Sequence, residues 1–250
     1  MIYEDLSTQY YDIVKAHALP EEVSFYQKIL KNTKGTILYG MCGSGRLLIP
    51  LLQSGFDIEG LDASSYMLNR SRERAEKEGL HLVLYKQSID GISINKKYDV
   101  IMIVGGSFQL IYPRKNAIKA LQLVKCHLKE GGKLLIDIFI PWEFLYEDRE
   151  KEEFRHIVKN ESGEQILFTR SCIANKHKQL FISQNTYQKL IGNRVIKMEK
   201  NKMTVLWYYH HELVLLLQSI GYSKIKILKK KLGKNPELTV YEAIRSGIFC

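Results

Sequence analysis

Two kinds of hydrophobic pattern divide the chain. From Pro20 to about residue 140, short apolar runs alternate with amphipathic stretches of helical period. Pro20-Glu21-Glu22 predicts a helix start, because proline is tolerated in the first turn and acids suit its positive end; Val23, Phe25, Tyr26, Ile29 and Leu30 follow at near-helical spacing through Asn32. Thr36–Gly40 reads as a strand, Gly45–Ser54 as a helix with Gly55 as its cap, and Asp57–Leu61 as a second strand. Ser64–Glu78 is a charged amphipathic helix with Ser64 as N-cap and Gly79 at its end, followed by a strand over Leu80–Tyr85. Tyr98–Val104 and Lys133–Ile140 are apolar without alternation, as strands covered on both faces are. Between them, Pro113–Lys129 predicts a helix closed by Gly131-Gly132. This βα alternation implies a parallel sheet with helices on both faces.

The pattern changes after Trp142. Residues 153–203 alternate polar and apolar, with turn signals at Glu161-Ser162-Gly163, Asn175-Lys176-His177 and Gly192-Asn193, which predicts about four antiparallel strands with one wet face. Helical spacing returns over His210–Ser219, closed by Gly221, and Tyr222–Leu228 and Leu238–Arg245 read as two last strands.

Composition narrows the class. With 250 residues, 45% hydrophobic and 26% charged, the chain fits one large α/β domain carrying an insertion. No apolar run reaches the roughly 20 residues of a membrane helix, and the N-terminus lacks a basic region ahead of an apolar one. Cys42, Cys126, Cys172 and Cys250 are far apart and form no CxxC pair, which argues against a zinc site or a disulfide framework and for a reducing, cytoplasmic compartment. The net charge of +10 is unevenly placed: residues 1–150 carry 19 Lys/Arg against 19 Asp/Glu, residues 151–250 carry 18 against 8. A basic half attracts RNA or an anionic substrate, or is a solvated lysine-rich surface. No multi-arginine or RNP-type motif accompanies it, so a nucleic-acid partner is an alternative rather than the expectation.

The strongest chemical signal is Ile37-Leu38-Tyr39-Gly40-Met41-Cys42-Gly43-Ser44-Gly45-Arg46, a strand running into a glycine-rich turn that opens a helix. Asp62 ends the next strand, where an acid can accept both hydroxyls of a ribose. A dinucleotide turn wants GxGxxG; Gly43 and Gly45 supply two glycines, but Leu48 holds the third place, which fits a nucleoside without a pyrophosphate. There is no HExxH, GxSxG, P-loop or CxxC motif.

The chain from Glu21 to Trp142 resembles the class I S-adenosylmethionine-dependent methyltransferases, in particular their bacterial small-molecule subgroup. The resemblance rests on Cys42-Gly43-Ser44-Gly45-Arg46, Gly60-Leu61-Asp62-Ala63-Ser64 with Met67-Leu68, Tyr98-Asp99-Val100-Ile101, Ser107-Phe108-Gln109 and Leu128-Lys129-Glu130-Gly131-Gly132. Trp207-Tyr208, Glu212-Leu213 and Gly221-Tyr222 resemble the late helix and strand of that subgroup. The resemblance implies a doubly wound, mostly parallel seven-stranded sheet of Rossmann-like methyltransferase fold with an antiparallel β insertion. Residues 1–142 and 204–250 would form the core with an N-terminal helical cap, and 143–203 a substrate lid. S-adenosyl-L-methionine would be the cofactor, seated by Tyr10, Tyr11, Gly40, Met41, Gly43, Arg46, Asp62, Ala63, Met67, Ser88, Ile89, Val104 and Gly105.

Methyl transfer is a direct displacement, so the protein needs to align the acceptor and exclude water rather than supply a metal or a nucleophile. Tyr11, Gln109 and His210 are the candidate catalytic residues: an aromatic face toward a sulfonium, an acceptor contact and a base. Tyr112, Trp142, Tyr187, Trp207 and Tyr209 are further acceptor-site candidates, and His211 a second candidate base. The expected partner is a small molecule methylated at N or O, with no membrane partner and the chain a monomer or homodimer. An RNA- or protein-directed enzyme and a non-catalytic relative are the alternatives. Three positions depart from the family pattern. Tyr39 stands where an acid near the cofactor's ammonium is usual, Met41 replaces the first glycine, and Ser88 replaces the acid that meets the adenine amino group, with Gln87 and Asp90 as neighbours.

Overall fold

The computed structural model describes residues 3–146, 151–160, 163–192, 194–232 and 237–247. The turn signals at Glu161, Ser162 and Asn193, and Cys250, lie outside them.

The core is a seven-stranded sheet. Its strands are β1 (Ile37–Gly40), β2 (Ile58–Asp62), β3 (Leu84–Lys86), β4 (Tyr98–Ile103), β5 (Leu128–Asp137), β10 (Tyr222–Lys230) and β11 (Leu238–Arg245). They are ordered β10-β11-β5-β4-β1-β2-β3. The five strands from β3 to β5 are parallel, and β11 runs antiparallel to both β5 and β10. Strand order reverses beside β1, which is where a doubly wound sheet opens a crevice at its carboxyl edge.

The unalternating apolar runs are explained by two apolar layers. In β4, Ile101 and Ile103 pack into one layer while Val100 and Met102 pack into the other; in β5, Leu134 and Ile136 oppose Leu135. Successive side chains leave a strand on opposite faces, so a strand buried on both faces must be apolar throughout. Helix α2 (Pro20–Leu30) covers one face with Tyr26 and Leu30, and α5 (Arg114–His127) covers the other with Ala117, Ala120, Leu121 and Val124.

Helix α3 spans only Leu48–Gln53, shorter than the predicted Gly45–Ser54. Pro50 has no N–H to donate and is tolerated only in the first turn, so the helix cannot begin at Gly45. The glycine-rich turn is correspondingly longer. Helix α4 (Ser65–Lys77) matches its predicted bounds closely, with the Ser64 hydroxyl accepting the Met67 N–H at 3.3 Å. The helix predicted over Pro113–Lys129 ends at His127 and the strand predicted from Lys133 begins at Leu128: fully buried, Leu128 already pairs with Tyr98, ahead of the Gly131-Gly132 pair.

After α6 (Trp142–Tyr146) come β6 (Lys151–Lys159), β7 (Gln165–Asn175), β8 (Leu180–Ile191) and β9 (Arg194–Leu206), a second, four-stranded antiparallel sheet in sequence order. Helix α7 (His210–Ile220) then leads into the β10–β11 pair. Helix α1 (Asp5–Val14) packs on this second sheet through Leu6, Tyr10 and Ile13, against Val158, Ile166, Phe168 and Tyr187. Glu199 of β9 accepts the free N–H groups of Leu6 (2.7 Å) and Ser7 (3.2 Å) at the α1 N-terminus. At its other side α1 is tied to α4, where Asp12 accepts from Arg70 (2.8 Å) and Arg74 (2.9 Å).

Candidate active site

The glycine-rich turn ends β1 at the crevice. Gly43 and Gly45 have φ of 58° and 81°, backbone that disfavours a side chain. At Gly45 a Cβ would also come within 2.6 Å of the Ser71 hydroxyl oxygen, so the close packing of the turn on α4 requires glycine. Met41 holds φ of 58° despite its side chain. The turn therefore keeps its left-handed course where the family's first glycine is missing, at a cost of about 1–2 kcal/mol.

Asp62, at the end of β2, closes the turn from the opposite side. One carboxylate oxygen accepts the Gly43 N–H at 2.9 Å and the other the Ser64 N–H at 2.8 Å. These bonds fix the carboxylate while leaving lone pairs facing the crevice. Burial raises its pKa from the ordinary value, and the two N–H groups act against that rise.

The crevice is a cavity of about 350 Å3, of the size range of small-ligand sites. Of the residues singled out from the sequence, Tyr11, Met41, Gly43, Arg46, Asp62, Ala63, Met67, Ser88, Ile89, Val104, Gly105 and Tyr112 line it. Tyr39 and Met41 form its wall and do not fill it.

Several candidates stand elsewhere. Gly40 lies beneath the cavity, with the Ile89 side chain close to its Cα. Tyr10 points the other way from Tyr11. Its ring packs on Phe168 at 4.6 Å and its hydroxyl meets His156 Nδ1 at 3.0 Å, because adjacent helix positions face about 100° apart. Gln109 is fully buried and is a structural tie rather than an acceptor contact. Its amide nitrogen donates to the carbonyls of Phe139 (2.9 Å) and Leu206 (3.1 Å), and its oxygen accepts the Phe139 N–H (2.7 Å). His210 is hydrogen-bonded to the Tyr241 hydroxyl at the start of α7 and does not line the cavity, and neither does His211. Trp207 and Tyr187 are buried in the packing, whereas Trp142 and Tyr209 are exposed 6.3 Å apart, outside the cavity lining.

The structure adds residues that the motifs did not mark. Tyr3 and Lys15 line the cavity from either end of α1. Glu22, predicted only as a helix-start acid, is buried and accepts both terminal nitrogens of Arg46, at 2.6 and 2.8 Å. Burial opposes the Arg46 charge, but the Glu22 carboxylate outweighs it and the guanidinium pKa rises. Asp137, at the end of β5, accepts the N–H groups of Gly105 (2.8 Å) and Gly106 (2.7 Å), and the Tyr26 hydroxyl lies at 3.4 Å. Burial pushes its pKa up to about 6, against the pull of those two N–H groups. Among the described residues no group of three or more His, Cys, Asp or Glu could hold a metal ion. No helix is long and apolar enough to cross a membrane.

A glycine turn with left-handed backbone, an acid closing it from β2, and a crevice at the switch point fit the Rossmann-like methyltransferase fold. Residues 37–132 match the family model of the methyltransferase domain. A crystal structure of an S-adenosylmethionine-dependent methyltransferase from Clostridium acetobutylicum is 21% identical, with a TM-score of 0.74 over 96% of this chain and 97% of that one. The sugar N-methyltransferase KedS8 from Streptoalloteichus is 15% identical, with a TM-score of 0.73 over 99% and 97%. Both likenesses show the fold. A glycine/sarcosine N-methyltransferase of Halorhodospira halochloris is 31% identical over 117 residues, 45% of this chain and 43% of that protein. The chain spans about half the length of curated relatives such as this one.

Proposed function

We propose that this protein is an S-adenosylmethionine-dependent methyltransferase acting at a nitrogen or oxygen atom of a small molecule. The observation that carries the reading is the Asp62 carboxylate, held by two backbone N–H groups at the floor of an open cavity. A half-buried acid with outward lone pairs, and no side-chain partner among the described residues, is suited to a pair of ribose hydroxyls. Met67 and Ile89 would flank the adenine, with Ser88, Gln87 and Asp90 within the same lining for its polar edge. Tyr11 and Tyr39 would place aromatic faces beside the amino-acid end, where a sulfonium is stabilised by ring quadrupoles.

The cofactor supplies an activated methyl group with a good leaving group. The chain would hold the acceptor in line with that methyl and exclude water. The acceptor would enter past Gly105, Ser107 and Tyr112, close to the carboxyl ends of β4 and β5. The reading of a small-molecule acceptor is supported by relatives and neighbours named for glycine, sarcosine and sugar methylation.

The test is calorimetric titration of the protein with S-adenosylmethionine and S-adenosylhomocysteine, followed by a search for methylated product among amine and hydroxyl acceptors. One saturable site per chain is expected. Absence of binding by both ligands refutes the reading.

A further inference from the structure

The amino-acid end of the cavity has an unusual charge arrangement. Tyr39 leaves the end of β1 without an acid. Arg46, which lines the same end, has both terminal nitrogens engaged by Glu22, so its charge is largely neutralised within the protein. Lys15, the residue that caps the C-terminus of α1, lines the same cavity with its ammonium 5.9 Å from the centre of the Tyr11 ring. No carboxylate among the described residues pairs with it at ion-pair distance. It keeps solvent access at the cavity mouth. Burial, and then the Arg46 charge, lower its pKa from the ordinary value, against the opposing pull of the Glu22 and Asp137 carboxylates.

We propose that Lys15 is the carboxylate-reading residue of this cavity, and that the amino-acid end of the nucleoside ligand is recognised through its carboxylate and not through its α-ammonium. This rests on the nucleoside reading given above. The physical reason is the supply of partners. A carboxylate meets the free ammonium of Lys15, with the Tyr11 and Tyr39 hydroxyls in the same lining. An α-ammonium meets no uncommitted acid there, because Glu22 is held by Arg46 and Asp137 is buried and does not line the cavity. The site would therefore tolerate replacement of the amino group and resist loss of the carboxylate.

The experiment is calorimetry with four ligands on the wild-type chain and on Lys15→Gln and Lys15→Arg. The ligands are S-adenosylhomocysteine, its deaminated analogue, its decarboxylated analogue, and 5′-methylthioadenosine, which lacks the whole amino-acid end. For wild type, loss of the carboxylate should weaken binding at least about tenfold, the scale of one hydrogen bond to a charged group, and loss of the amino group less than about threefold. Lys15→Gln should weaken S-adenosylhomocysteine about tenfold and leave 5′-methylthioadenosine unchanged, while Lys15→Arg retains most of the affinity. Unchanged 5′-methylthioadenosine binding also reports that the variant is folded. The proposal is overturned if the deaminated ligand loses as much as the decarboxylated one, or if Lys15→Gln binds S-adenosylhomocysteine as wild type does. If wild type binds neither 5′-methylthioadenosine nor S-adenosylhomocysteine, the nucleoside reading itself fails, and this proposal with it.

Discussion

Replacing Asp62 with alanine perturbs two things that can be measured separately. In the free protein it removes the acceptors of the Gly43 and Ser64 N–H groups. A buried donor left unpaired costs about 1–3 kcal/mol, and these two sit at a part-buried turn beside the crevice. Removing a desolvated carboxylate, whose raised pKa records the cost of its charge, offsets part of the loss. A net destabilisation of about 2 kcal/mol follows, which lowers Tm by roughly 4–8 °C in a chain of this size. In the bound protein the variant also loses two hydrogen bonds from ribose hydroxyls to a carboxylate. At about 1.5–3 kcal/mol each, Kd should rise by roughly two to four powers of ten. A ligand at about 1,000 times the wild-type Kd stabilises the folded state by about 4 kcal/mol. Thermal unfolding with and without S-adenosylhomocysteine at that concentration therefore separates the effects. The variant should melt a few degrees early and keep at most about a third of the ligand-induced stabilisation. If it melts early yet keeps a ligand-induced shift close to that of wild type, Asp62 serves the turn alone and the ribose assignment is wrong.

Two further predictions concern acids whose partners are backbone N–H groups. Asp137 has a folded pKa of about 6 against an ordinary 3.8, so its proton is held more tightly folded than unfolded. Its favourable contribution is full below the unfolded pKa and is lost as pH rises through about 6. Relative to Asp137→Asn, the wild type should lose up to about 3 kcal/mol of unfolding free energy between pH 4 and pH 7, measured by urea denaturation; a pH-independent difference contradicts the burial argument. Glu199→Ala removes the cap of α1 and should cost about 1–2 kcal/mol, with faster amide exchange confined to residues 5–14, while Glu199→Gln retains part of the protection. Exchange accelerated equally in β4 and β5 would show that Glu199 supports the whole fold instead.

The parts of this architecture that were legible in the sequence are those set by local pattern. The apolar runs of β1, β4 and β5, the Ser64 cap and the spacing from Gly43 to Asp62 all act within about twenty residues. Where neighbouring signals compete, the sequence misleads. Pro50 shortens α3 although Gly45 marks a plausible start, and the burial of Leu128 overrides the glycine pair as the end of α5. Gln109 was an attractive acceptor contact because glutamine on a loop after β4 is polar and central. Its partners are the backbone of residues 139 and 206, which local pattern cannot reveal.

The same limit explains why the charge distribution of the cavity was not legible. Glu22 reaches Arg46 across 24 residues, and Glu199 reaches α1 across more than 190. The first pairing neutralises Arg46 within the protein and leaves Lys15 as the cavity cation with no ion pair among the described residues. The second fixes the helix that carries Tyr3, Tyr11 and Lys15 into the cavity. Helix α1 is itself held by the second sheet on one side and by Arg70 and Arg74 of α4 on the other.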